Sequence, residues 1–284
     1  MTSFKSMRLF ILTSISVILI VSGITGCTGN TTKKNASGDS VTFAFEVITD
    51  SNIIKFNKDL PCSNVVKLNI GYPAAYKDSA SVALLSSLYS NIFFDCNDSS
   101  GIKKCAGIYM KNILNELGRD SIDINADNIC DNTPLFSYTT KVSIYPVYNK
   151  NGILTLCKEE GIVKNNELSM LTHNYTTIDL MNMKQVTIND IFQDEAISDV
   201  TKLLKDKLMS DLNIKDESDL MDLGYFNLGN LTANNNFVIS DSGMTWTFLP
   251  YEIACFGVGE TRISLSYEQL ANYRNPNSIL SYIK

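Results

Sequence analysis

The chain has 284 residues, 44% of them apolar, and carries 24 basic against 30 acidic side chains, a net charge of −6. An acidic protein repels phosphate backbones, so nucleic acid is not an expected partner, while a cationic protein is permitted. The only histidine, His173, leaves no metal site built on two or three imidazoles, and no cofactor is expected.

Lys5 and Arg8 precede an uncharged run from Leu9 to Val21, closed by Gly23 and by Ile24-Thr25-Gly26-Cys27. A basic start, a short apolar stretch and small residues before a cysteine have the shape of a bacterial lipoprotein signal. The run falls short of the about 20 apolar residues that cross a bilayer. Cleavage between Gly26 and Cys27 is therefore expected, with acyl chains on Cys27 holding the protein on a membrane. On this reading residues 1–26 are the signal peptide, and Lys5 and Arg8 leave with it. The 22 remaining basic side chains then face 30 acidic ones, for a net charge of −8. Residues 27–40, rich in Thr, Asn, Ser and Gly, read as a flexible tether. No acidic cluster follows Cys27, which favours the periplasmic face of the outer membrane over the cell surface.

Six further cysteines, Cys62, Cys96, Cys105, Cys130, Cys157 and Cys255, are disulfide candidates in an exported chain. Six cysteines allow 15 pairings. Cys96 and Cys105 flank the polar turn NDSSGIKK and are the first expected pair. The others are too scattered for the close cysteine pairs of a zinc site.

The folded part opens with strands. Val41 to Ile48 is β-branched and apolar, and Val66, Leu68, Ile70 and Tyr72 alternate with polar residues until Pro73 ends the strand. Val82, Leu85, Leu88, Tyr89 and Ile92 follow a helical period behind Ser79 as N-cap. A second helix is predicted from Lys104 to Leu117, with Gly118 as its C-cap. Phe136 to Val163 reads as a hairpin turning at Asn151-Gly152. A second hairpin joins Tyr175–Leu180 to Gln185–Ile188, with Asn182 taking the positive φ. Asp199 to Leu212 forms a third helix, with Val200, Leu203, Leu204 and Leu208 on one side. Strands at Asn236–Ile239, Thr245–Leu249 and Arg262–Ser266 and a short helix at Tyr267–Tyr273 complete the chain. The expected class is α+β, antiparallel sheets with packed helices, in two parts: residues 41–165 and 166–284.

Chemical motifs are sparse. His173, read as lying in a loop near Ser169 and Thr172, lacks the partners of a catalytic triad. Glu159-Glu160 and Asp216-Glu217 are adjacent residues on expected loops, unsuited to flank a glycosidic bond. Gly257-Val258-Gly259 lacks the third glycine of a dinucleotide fingerprint. Trp246 and Tyr251 offer either a sugar-stacking platform or core aromatics. Glu252, in an apolar and aromatic stretch, is expected to be paired, with Arg262 as the candidate.

The stretch NNFVISDSGMTWTFLPYEIACFGVGETRISLSYEQL, Asn235 to Leu270, resembles the C-terminal signature of the RsiV-like extracytoplasmic domain family. Pro250-Tyr251-Glu252-Ile253-Ala254 carries most of the likeness, followed by Gly259, Ile263, Leu265, Tyr267 and Leu270, and TTIDLMNMKQVTINDIF, Thr176 to Phe192, agrees with a second block. That family is a domain of unknown function found in lysozyme-sensing anti-sigma factors, beside polysaccharide deacetylase domains, and in Bacteroidetes lipoproteins. Three departures stand out: Ser169 to Asn174 lacks the family's loop glycines, Met183 replaces a turn glycine, and Cys255 stands where proline is common. Only eight residues precede the apolar run, too few to hold a sigma factor. The resemblance implies an α+β envelope module that recognises a ligand; the residues themselves make Trp246, Tyr251 and Glu252 the contact candidates and leave no catalytic residue. The candidate ligands are a cationic wall-degrading enzyme such as lysozyme or peptidoglycan fragments. A hydrolase acting on wall glycans or their acyl groups is the alternative.

Overall fold

The computed structural model describes residues 33–34, 40–41, 43–55, 63–96, 101–120, 138–164, 167–226 and 228–283. Gly26, Cys27, Cys62 and Cys130 lie outside the described residues. Within the stretch read as a tether, β1 (Lys33–Lys34) pairs antiparallel with β2 (Ser40–Val41). Among the described residues no helix is long and apolar enough to cross a membrane.

Six strands form the first sheet, in the order β3 (Phe43–Lys55), β4 (Ser63–Tyr76), β5 (Tyr138–Lys150), β6 (Ile153–Lys164), β7 (Glu167–Asp179) and β8 (Lys184–Val186). All neighbours are antiparallel except β4 and β5. That parallel pair follows from what lies between them, the helices α1 (Ser79–Phe94) and α2 (Ile102–Asp120). Val66, Leu68 and Ile70 of β4, Val142 and Ile144 of β5, and Leu154 and Leu156 of β6 face these helices and share a core with Leu85, Tyr89, Phe93 and Met110. Cys96, just past α1, and Cys105, in the first turn of α2, form a disulfide, the pair expected first.

The second part contains α3 (Ile188–Ile191), α4 (Ile197–Asp211), α5 (Asp219–Asp222), β9 (Phe237–Ile239), β10 (Gly243–Phe248), β11 (Thr261–Ser266) and α6 (Tyr267–Leu270). Its three strands form an antiparallel sheet in the order β11-β10-β9. Val200, Leu204 and Leu208 repeat every four residues on α4, and their stripe is buried with Trp246, Phe248, Ile263 and Leu265. Tyr148 and Ile153 of the first sheet join this core. β6 is thus covered on both faces, which explains its unbroken buried run from Ile153 to Cys157. The divide expected at 165/166 lies between two paired strands of one sheet, because β6 and β7 form a hairpin.

Several local expectations are corrected. Pro73 does not end its strand but pairs with Phe45 beside a bulge at Ala74, a position where proline is tolerated, and β4 continues to Tyr76. The N-cap of α1 is Asp78, whose carboxylate accepts from the Ser81 N–H at 2.7 Å, not Ser79. Gly118 lies inside α2, which runs to Asp120. In the turn between β7 and β8 the positive φ falls on Met183 (50°), not Asn182. Asn182 instead donates its side-chain amide to the buried Asp179 at 2.7 Å, which locks the turn from the other side. The last helix stops at Leu270, short of Tyr273. His173, Glu159 and Glu160 are not in loops, because β7 begins at Glu167 and β6 runs to Lys164.

Candidate functional site

The strand register brings chemistry together that the linear order keeps apart. Glu159 of β6 pairs with His173 of β7, and one step along the same strands Tyr145, Cys157 and Tyr175 form a row across β5, β6 and β7. Alternation puts these side chains on the face opposite α1 and α2. Glu260 and Arg262, from the entry to β11, close over them. The Glu260 carboxylate accepts from the His173 backbone N–H with one oxygen and meets the ring Nδ1 at 2.9 Å with the other. Glu159 lies 3.4 Å from Nε2. The Arg262 guanidinium stands 3.1 Å from Nδ1, 3.0 Å from Glu260 and over the Tyr175 ring. Asn236, just before β9, adds a backbone-like clasp: it donates to the His173 carbonyl at 3.1 Å and accepts from the Tyr175 N–H at 2.7 Å.

The electrostatics match this packing. Burial pushes the Cys157 thiol up to about 11 and the Tyr175 phenol up to about 12, and it raises Tyr145 further still. Burial works against the Arg262 charge, but the hydrogen bond to Glu260, joined by the influence of Tyr175 and Cys157, raises the guanidinium pKa overall. The hydrogen-bonding and ion-pair partners of the imidazole are two carboxylates and a guanidinium, so no hydroxyl or thiol is activated as a nucleophile by it. Cys157, a buried free thiol, stays protonated at neutral pH and lacks the thiolate character a nucleophile needs. Among the described residues no three His, Cys, Asp or Glu side chains are grouped so as to hold a metal ion.

The other sequence candidates separate. Trp246 is fully buried on β10 and stacks at 6.3 Å on Phe192, which removes it from any ligand surface. Glu252 does not pair with Arg262. It accepts from the Leu249 N–H at 2.8 Å and from the Asn234 amide at 3.2 Å, holding the turn that follows β10. Tyr251, at the tip of that turn, is 65% exposed and takes a φ of 69°. A bulky side chain in that region is strained, and such strain persists only where the surroundings fix it. Here the Tyr251 N–H donates to the Ala254 carbonyl at 2.9 Å, and the ring stacks at 5.8 Å on the exposed Phe256. A groove of about 190 Å³ lined by Leu168, Met170, Pro250 and Phe256 runs beside the pair. The segment 224–226 supports it from below through the Phe226 N–H to Ile253 carbonyl and Cys255 N–H to Gly224 carbonyl bonds. Cys255, a free thiol, lies against Gly224, where a Cβ would meet its sulfur at 2.7 Å and φ is +90°.

The carboxylate pairs do not form a cleft. Glu159 and Glu160 point to opposite faces of the sheet, Asp216 accepts from Ser218, and Glu217 pairs with Lys205. Sequence reasoning missed Glu260. A hairpin centred on 165–166 without a bulge sets Glu159 opposite Thr172; the bulge at Ser169 shifts the register by one residue and makes His173 the partner, and nothing local links Glu260 to either.

No curated protein sequence matches the chain. Solved structures that share its fold include two from the DUF3298 family. A member of the DUF3298 family from Bacteroides fragilis NCTC 9343 aligns with a TM-score of 0.72 at 19% identity, over 85% of this chain and 97% of that one. A DUF3298 family protein from Pseudomonas aeruginosa PAO1 aligns with a TM-score of 0.57 at 10% identity, over 83% and 95% of the respective chains. Residues 189–268, which hold the Tyr251 turn, Glu260 and Arg262, match the family model described as "Protein of unknown function (DUF3298)".

Proposed function

We propose that this chain is a non-catalytic lipoprotein of the cell envelope. Cys27 anchors it to the periplasmic face of the outer membrane, and the module beyond residue 40 binds a cationic wall-degrading enzyme of the lysozyme kind. The observation that carries the reading is the exposed Tyr251–Phe256 stack, with Tyr251 held in a strained conformation at the tip of a braced turn. Exposed aromatic pairs supply contact area at low entropic cost. Nearby exposed carboxylates support a basic partner: Asp219 and Asp222 precede the Gly224–Phe226 segment that braces the turn. Peptidoglycan fragments are the second ligand class, favoured by the same stacked rings. The hydrolase alternative finds no support in the partners of His173.

Capture of lysozyme by the purified chain at low and high salt tests the reading. Binding at low salt that weakens at high salt and is lost in Tyr251→Ala is expected. Absence of capture in both salts removes the lysozyme reading. Titration with muropeptides then decides whether glycan binding replaces it.

A further inference from the structure

The surroundings of His173 pose a problem of proton placement. A neutral imidazole has one N–H donor and one lone-pair acceptor, whereas the charged ring has two donors. Nε2 faces Glu159 at 3.4 Å, and Nδ1 faces both the Glu260 carboxylate at 2.9 Å and the Arg262 guanidinium at 3.1 Å. A carboxylate cannot donate and a guanidinium cannot accept. One nitrogen therefore cannot satisfy both of its neighbours in the same protonation state.

We infer that the proton on His173 selects the partner of Nδ1, Glu260 when the ring is charged and Arg262 when it is neutral, and so sets how firmly the loop 256–260 is held against the first sheet. In the charged state Nδ1–H donates to Glu260, Nε2–H faces Glu159, and Arg262 turns to Glu260 alone at 3.0 Å. The two acids and two bases then balance. In the neutral state the remaining hydrogen belongs on Nε2 toward Glu159, and Arg262 donates to the bare Nδ1. The ring no longer donates to Glu260, and the cluster carries one uncompensated negative charge.

The other titratable groups around the ring are Cys157 on β6, Tyr145 on β5 and Tyr175 on β7, all neutral in the range where imidazoles exchange protons, about pH 5 to 8. Lys158 and Glu160 pair with each other on the far face of the sheet. Among the described residues no further charged group contacts Nδ1 of His173 in place of Glu260.

The loop is the part free to respond. Its backbone bonds are local turns, Val258 N–H to the Cys255 carbonyl and Gly259 N–H to the Phe256 carbonyl. Gly257 and Gly259 flank its middle, Gly259 at φ +77°. Glu260 at its end is thus its tie to β7, and Phe256 at its start is one ring of the exposed pair. A proton taken up by His173 tightens the tie and steadies Phe256. This coupling does not depend on what, if anything, Phe256 touches.

Because the chain has one imidazole, long-range nitrogen–proton NMR of the full-length protein reads its state without ambiguity. We expect the Nε2–H tautomer at high pH and both nitrogens protonated at low pH. Amide exchange of residues 256–260, corrected for its intrinsic pH dependence, should slow several-fold across the same transition. Arg262→Gln should lose protection at high pH and keep it at low pH, and His173→Gln should abolish the pH dependence. An Nδ1–H neutral tautomer, or loop exchange that ignores the imidazole titration in the wild type, overturns the inference. If His173→Gln does not fold, the wild-type NMR and the Arg262→Gln exchange decide alone.

Discussion

Glu260 holds His173 at two points, accepting from its backbone N–H with one carboxylate oxygen and meeting its ring nitrogen with the other. The first contact fixes the strand and the second fixes the side chain, so one carboxylate adds two ties between the parts of the molecule to those made by Asn236 and by the shared core. Glu260→Ala leaves the half-buried His173 N–H without its partner and the ring with Glu159 and Arg262 alone, and should cost about 1 to 3 kcal/mol. Glu260→Gln keeps a neutral acceptor and should cost less. Urea denaturation of both variants checks the order.

Reduction of the Cys96–Cys105 disulfide tests the linkage between α1 and α2. The bond closes a loop with a sequence separation of 9, and the chain-entropy relation gives a loss of about 2 to 3 kcal/mol when it opens. Cys96→Ser with Cys105→Ser should lower the melting temperature by several degrees. The wild type in reductant should fall to the same value, whereas the double variant should not respond to reductant.

Alkaline stability follows from Cys157. Its thiol titrates at 9.0 when unperturbed and is pushed up to about 11 by burial in the fold. The folded-state value is raised, so the thiol's contribution is fully present below pH 9.0 and is lost as pH climbs through the folded value. Stability should decline from about pH 9 to 11, and Cys157→Ala should flatten that part of the curve. Tyr175 and Tyr148, both raised to about 12, extend the decline above it. At pH 8 iodoacetamide should label the partly exposed Cys255 well before Cys157.

Much of the fold is written in local pattern. The four-residue repeat of Val200, Leu204 and Leu208 defines α4, and Asn151-Gly152, both at positive φ (54° and 78°), defines the turn from β5 to β6. Other features depend on distant contacts. The first half of β7 lacks strong alternation because its residues Met170 to Tyr175 are only partly buried on both faces, and pairing with β6 holds them extended. Pro73 reads as a terminator because the bulge at the neighbouring Ala74, which lets β4 run on past it, is invisible locally. The parallel β4–β5 pair spans two helices, so its register cannot be read from either strand alone. At the site, hairpin symmetry made the nearness of Glu159 and His173, though not the bulge at Ser169 that sets them opposite, readable. Glu260 was not, since it arrives from a different sheet after some ninety residues of intervening chain.

Tyr251 separates the cost of its conformation from the value of its ring. At φ 69° any residue with a Cβ carries a backbone penalty of about 1 to 2 kcal/mol that glycine escapes. The ring, 65% exposed, contributes its stack on Phe256, worth about 0.5 to 1.5 kcal/mol at most. Tyr251→Ala loses the stack and keeps the penalty, so it should be destabilised. Tyr251→Gly loses both, and should exceed the alanine variant in stability by about 1 kcal/mol. If the ring is the contact surface, the two variants should be equally poor at capturing a partner despite their different stabilities. A binding loss that tracked stability instead would place the role of Tyr251 in the turn, with its ring a bystander.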